Sequence, residues 1–125
     1  MALTEVEVGA EASVPYRIQI GDTDASGRIH WGSVFGMFEL AEVALWRSLG
    51  QMELYLELPR ISANVSYRRA LAFDNEVIVH ARLERLGETS LTIGFRISLT
   101  GEEAVTASVT AVHVDDQGQP KRLRQ

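Results

Sequence analysis

The sequence points to an α+β domain in which a curved antiparallel sheet wraps around one long central helix. Three observations carry this. Between about Ser33 and Leu49, apolar residues recur at helical spacing on most sides of the stretch. The second half changes to a period of two, in four long segments rich in Val, Ile, Thr and aromatics. Short turn signals separate those segments, which suits antiparallel neighbours. At 125 residues the chain is one domain, long enough to bury about two-thirds of the surface its unfolded form exposes.

Residues 1 to 12 show no clear periodicity, and a weakly paired, mobile start is expected. Val14 to Ile20 places Tyr16, Ile18 and Ile20 in alternation and predicts a strand, with Pro15 suited to its beginning or to a sheet edge. In the helix, Val34, Phe38, Ala41, Leu45 and Leu49 form one stripe, and Phe35, Met37, Leu40, Ala44 and Trp46 fill much of the rest. A helix apolar on most sides is expected to be buried on most sides. Gly50 supplies its stop, and Met52 to Leu58 predicts a further short helical piece before Pro59. Strands are predicted over Arg60 to Arg69, Glu76 to Arg85, Ser90 to Leu99 and Ala104 to Val114, with Asp74 capping the turn before the second. The tail from 118 to 125, basic through Lys121, Arg122 and Arg124, is expected to be mobile. Five strands leave two edges, and pairing of edges between two copies is one way to cover them.

A net charge of −5 argues against a nucleic-acid partner. With no cysteine there is no disulfide, thiolate chemistry or cysteine-ligated metal. His80 and His113 stand alone on strands without ligand spacing, so neither a metal nor a cofactor is expected. No apolar run approaches the roughly 20 residues of a membrane span. Met1 to Ser13 lacks the basic and apolar regions of a signal peptide, which makes the cytoplasm the default expectation.

The stretch from Gly21 to Gly32, Gly-Asp-Thr-Asp-Ala-Ser-Gly-Arg-Ile-His-Trp-Gly, is the best candidate for chemistry. It is a polar loop feeding a buried helix, and such a loop can aim a carboxylate and free backbone N–H groups at one point. Together with the helix segment Phe35-Gly-Met-Phe-Glu-Leu-Ala-Glu42 and the strand segment Val65-Ser-Tyr-Arg-Arg-Ala-Leu-Ala-Phe-Asp-Asn-Glu-Val77, it resembles the hotdog-fold acyl-CoA thioesterases, 4-hydroxybenzoyl-CoA thioesterase type. The similarity runs over about residues 14 to 115. It implies a homodimer with a joined sheet, often a dimer of dimers (a homotetramer), and a pantetheine channel at the subunit interface. It also implies an acyl-CoA substrate with an aromatic or aliphatic acyl group.

Within that motif the catalytic carboxylate maps onto Asp24, and Asp22 is read as a turn-former beside it. Thioester hydrolysis needs a nucleophile or a base for water, plus donors for the oxyanion. If the loop folds back, the positive helix terminus keeps Asp24 ionised, and the backbone N–H groups of Trp31 and Gly32 receive the thioester oxygen. The sequence departs from the family at His30 and Trp31, whose aromatic and polar characters look exchanged. No catalytic role is carried over to His30, which stays a candidate substrate contact. Glu39 is the rival acid: a second hotdog branch places its carboxylate nine residues after a His-Gly-Gly start, and His30-Trp-Gly32 keeps that spacing. Glu42, one turn on, reads as structural or interfacial. For CoA the candidates are Asn64, Ser66, Arg68 and Arg69, with the Asn64, Ser66 and Arg68 face preferred because a regular strand turns Arg69 the other way. The other functions to weigh are hydrolysis of acyl groups on acyl carrier protein and a non-catalytic acyl-binding module.

Overall fold

The computed structural model describes residues 8–123. Its centre is helix α1, Val34–Ser48, entered through a 3-10 turn at Trp31–Ser33. Gly50 ends it with a φ of +68°, a left-handed conformation that favours glycine. A short helix, α2, follows at Met52–Tyr55. Five strands, β1 (Glu11–Arg17), β2 (Arg60–Tyr67), β3 (Glu76–Leu86), β4 (Ser90–Leu99) and β5 (Glu102–Val112), form one antiparallel sheet in the order β1-β3-β4-β5-β2. The links predicted at 86–90 and 100–103 are both hairpins.

Alternation decides which side of the sheet meets the helix. Val77, Val79, Ala81 and Leu83 of β3 and Leu91, Ile93, Phe95 and Ile97 of β4 are buried, and so are Val34, Met37, Phe38, Ala41, Leu45 and Trp46 of α1. The Phe38 ring stacks on Phe95 with centroids 4.6 Å apart and planes 15° apart. This one contact ties the first turns of the helix to the middle of the sheet.

Five expectations need correction. The first strand ends at Arg17 rather than Ile20. The Asp22 carboxylate accepts the Gln19 N–H at 2.8 Å and draws Ile20–Asp22 into a 3-10 turn, which leaves Ile20 outside the core. The strand also starts earlier, because Glu11 and Ala12 pair with Arg82 and Ala81. Third, α1 is not covered on all its apolar sides. Phe35 and Leu40 are exposed, whereas Glu42 is only 2% exposed and bonds Trp46 Nε1 at 2.9 Å and Arg60 at 2.7 Å. The helix packs on β1 and β3, so its flank toward β2 stays open.

The last two corrections concern the histidine after β5 and the tail beyond it. His113 is not isolated but buried, with Nε2 2.9 Å from Glu57 and Nδ1 3.2 Å from the Lys121 carbonyl. Residues 118–123, where a mobile tail was expected, fold back onto the body. Pro120 bridges Val114, the Leu123 N–H donates to the Glu88 carbonyl at 2.7 Å, and the Leu123 side chain is buried. The expectations for 1–7 and 124–125 lie outside the described residues.

Truncating Phe38 to alanine removes a buried ring from the helix–sheet contact. Loss of about 3–5 kcal/mol of stability is expected, measured by denaturant unfolding of the Phe38→Ala variant against wild type.

Candidate active site

The loop before α1 is a small hairpin. Thr23 bridges Ile29, Arg28 bridges Ala72, and the tip between them turns on Gly27 at φ +82°. Asp22 lies at its base, part-buried, where its carboxylate accepts the Tyr16 hydroxyl at 2.6 Å as well as the Gln19 N–H. Burial, the hydrogen bond and the negative charge together push the Tyr16 pKa up to about 12. Asp22 therefore holds the loop together, as its reading as a turn-former anticipated.

Asp24 lies at the exposed tip. Its Oδ1 accepts both the Ser26 N–H at 2.8 Å and the Ser26 hydroxyl at 2.6 Å, an Asx-turn, while no hydrogen bond engages Oδ2 among the described residues. The Ser26 hydroxyl, then the Ser26 N–H, hold the Asp24 carboxyl below the ordinary aspartate range, with a smaller contribution from Arg28. Ser26, two residues away, thus favours the ionised form.

The donors proposed for the oxyanion open the 3-10 turn. The Trp31 N–H is the first of that turn and has no acceptor within it. The Gly32 N–H donates to His30 Nδ1 at 3.1 Å, so His30 caps the turn. Its ring stacks against Trp31, centroids 5.9 Å apart. On the other side of the same peptide unit, the Tyr67 hydroxyl donates to the Trp31 carbonyl.

A cleft of about 310 Å³ runs along this loop, lined by Asp24, Arg28, Ile29, Trp31, Tyr67, Arg68, Arg69, Ala70 and Leu71. Asp24, Trp31, Arg68 and Arg69 are thus brought together. Both arginines reach the cleft because β2 ends at Tyr67. The Arg68 and Arg69 N–H groups donate to one carbonyl, that of Ala104, and strand alternation lapses there. Arg68 Nε donates to the Thr106 hydroxyl at 3.3 Å, and Arg69 pairs with Glu102. Asn64 and Ser66 are not in the cleft. They pair with Ser108 and Thr106 on the sheet face opposite the helix, whereas Ala63, Val65 and Tyr67 share the helix side with Val109, Ala107 and Val105.

Glu39 is elsewhere. It lines a second cleft of about 310 Å³ with Phe35, Phe38, Glu42, Arg60, Ala63, Phe95 and Val109, along the open flank of α1. The Tyr55 hydroxyl donates to Glu39 at 3.1 Å, and burial first, then the Glu39 charge, raises the Tyr55 pKa. Among the described residues no group of three or more His, Asp or Glu side chains is placed to hold a metal ion. No helix among them is long and apolar enough to cross a membrane.

Comparison with known proteins agrees on the fold. A family profile described as the thioesterase superfamily matches residues 26–106, beginning two residues after Asp24. A relative from Aquifex aeolicus (strain VF5), named "Putative esterase", is 31% identical over 84 residues, 63% of this chain and 66% of the relative. The chain thus spans just under two-thirds of that relative's length. Among solved structures, a probable thioesterase from Bartonella henselae superposes with a TM-score of 0.81 at 24% identity, over 91% of this chain and 98% of the other. A DHNA-CoA thioesterase from Staphylococcus aureus gives 0.81 at 24% identity, over 90% and 80%. A thioesterase from Thermus thermophilus, complexed with coenzyme A and Zn, gives 0.83 at 22% identity, over 91% of each chain. Such likenesses establish the hotdog fold.

Three cleft-region residues escaped the sequence reading. Ser26 had a signal, since Asp-x-Ser is the spacing of an Asx-turn. Arg28 and Tyr67 had none, because the hairpin and the end of β2 meet only in the folded chain. Replacing Ser26 with alanine removes one donor to Asp24 directly and loosens the turn. The Asp24 carboxyl pKa is expected to rise toward the ordinary value, seen by ¹³C carboxyl titration. Because the ionised form is the base, any Asp24-dependent rate then loses its acidic limb at higher pH than in wild type.

Proposed function

We propose that this chain, which belongs to the thioesterase superfamily, hydrolyses an acyl-CoA to free acid and CoA with Asp24 as the reacting carboxylate. The observation that carries the reading is the cleft of Asp24, Trp31 and three arginines. One Asp24 oxygen is anchored by Ser26 and the other is left unbonded among the described residues. That is the arrangement a nucleophile or base requires: fixed in direction, ionised, and open on one side.

Two routes fit it. In one, Asp24 Oδ2 attacks the thioester carbon, and the C–S bond breaks as the tetrahedral intermediate collapses. CoA leaves as the thiolate and takes up a proton, and water then cleaves the mixed anhydride. In the other, Asp24 takes a proton from the water that attacks. In both, the Trp31 N–H, joined by that of Gly32, meets the developing oxyanion. Arg68 and Arg69 suit the CoA phosphates, since guanidinium groups match phosphate geometry. His30 serves substrate binding by releasing the Gly32 N–H to the substrate oxygen. Asn64 and Ser66 serve CoA only if it extends around the edge of β2. The acyl group is aromatic or aliphatic. Acyl carrier protein is the alternative thiol carrier, disfavoured by the net charge of −5.

The working unit in this reading is a homodimer, in turn a dimer of dimers, in the cytoplasm. β1 and β2 are the free edges, and β1 carries Pro15, which lacks an N–H. Beside β2 runs the open apolar flank of α1 with Phe35 and Leu40 exposed. A second copy pairing along β2 would cover edge and flank together, in an isologous contact. It would also bring the second cleft, with Glu39, to the subunit interface.

One observation favours a non-catalytic acyl-binding module instead: Asp24 Oδ1 and the Gly32 N–H are both satisfied within the loop. Purified protein incubated with benzoyl-type and fatty acyl-CoA panels is expected to release free thiol. No release on any of them would favour the binding module. Asp24→Asn is expected to lower kcat on the order of 10²-fold or more, with Glu39→Gln close to wild type; the reverse result would move the chemistry to Glu39. Sedimentation should give two or four times the 13.8 kDa chain mass, and a monomer would refute the joined sheet.

A further inference from the structure

We infer that Tyr67 is a positioning residue: its hydroxyl, working against His30, holds the Trp31–Gly32 peptide so that the Gly32 N–H can be handed to the substrate oxygen. The inference rests on the thioester-hydrolase reading and adds to it a residue that neither the loop motif nor the spacing of the helix indicates. Tyr67 closes β2, on the helix side of the sheet opposite Val105, and borders the cleft of Asp24. Its hydroxyl donates to the Trp31 carbonyl. That carbonyl and the Gly32 N–H belong to one planar trans peptide and point in opposite directions. The N–H end is held by His30 Nδ1 at 3.1 Å. Two side chains distant in sequence therefore grip one peptide from both ends.

The consequences are chemical as well as geometric. A hydrogen bond to a peptide carbonyl polarises the unit and strengthens its N–H as a donor. Partial burial raises the Tyr67 hydroxyl above the ordinary tyrosine pKa, which further favours its protonated, donating form. Since His30 Nδ1 accepts, the ring proton of the neutral imidazole sits on Nε2. His30 is exposed, so the ring can turn away and leave the Gly32 N–H to the thioester oxygen without moving the backbone. The peptide stays fixed during the exchange because Tyr67 holds its other end.

The test is Tyr67→Phe in the full chain, which keeps the ring and deletes only the donor. kcat for acyl-CoA is expected to fall about ten-fold, less than for loss of an oxyanion donor itself, with KM changed by no more than about two-fold. In ¹⁵N–¹H spectra of the resting protein the Gly32 amide should shift and exchange faster, while the amides of α1 stay in place. A wild-type kcat, an unmoved Gly32 amide, or shifts spread through α1 and the sheet would each overturn the inference. The amide readout separates this from failure of the functional reading. If wild type releases no thiol from any acyl-CoA, the hydrolase reading falls and takes the catalytic role of Tyr67 with it. The Gly32 amide then still decides whether Tyr67 orients the peptide.

Discussion

Burial of α1 against the concave side of the sheet is the constraint from which the other features follow. A helix with this much apolar surface has to be covered, and five antiparallel strands can cover it only by curving. Phe38 on Phe95 fixes its height over β4, and Leu45 and Trp46 fill the far end. Glu42 is the polar exception inside this contact. Its carboxylate is tolerated because the Trp46 indole and the Arg60 guanidinium both donate to it, as a buried charge requires. The same geometry leaves one flank of the helix and the edge of β2 uncovered. A second copy pairing there, as proposed above, would cover both.

The site inherits its precision from that packing. The 3-10 turn at Trp31–Ser33 is fixed because α1 is fixed. The hairpin of residues 23–29 is fixed because Ile29 and Arg28 are stitched to Leu71 and Ala72. The Asp24 carboxylate, by contrast, is held locally, through two hydrogen bonds from Ser26. Separating these tasks fixes the direction of an exposed aspartate, whose charge solvent already favours and Ser26 stabilises further. The acid on the helix, Glu39, has a different setting: an apolar cleft, a tyrosine donor and an orientation toward the open flank.

Regular structure was legible in the sequence, and local exceptions to it were not. The alternation of β3 and β4 and the buried stripe of α1 survive in the fold because each meets one environment along most of its length, whereas β5 buries the neighbours Ala104 and Val105 where its register with β4 shifts. β1 was misplaced because Asp22 overrides the alternation of Ile18 and Ile20 with a capped turn. Phe35 and Leu40 read as core because a single sequence does not reveal which side of a helix the sheet leaves uncovered. In the loop, the Asp-Thr-Asp region and the helix start could be read as candidates. The clamp from Tyr67 and the arrival of both Arg68 and Arg69 in one cleft could not. Each depends on where β2 stops and on chain segments that meet only after folding.

The most direct test is a crystal structure of the protein with a non-hydrolysable acyl-CoA analogue. The analogue's carbonyl oxygen is expected within hydrogen-bond distance of the Trp31 or Gly32 N–H, with the His30 ring turned away and Asp24 Oδ2 against the carbonyl carbon. A carbonyl seated instead between Glu39 and Tyr55, with Asp24 still in contact only with Ser26, would contradict the assignment of the chemistry to Asp24.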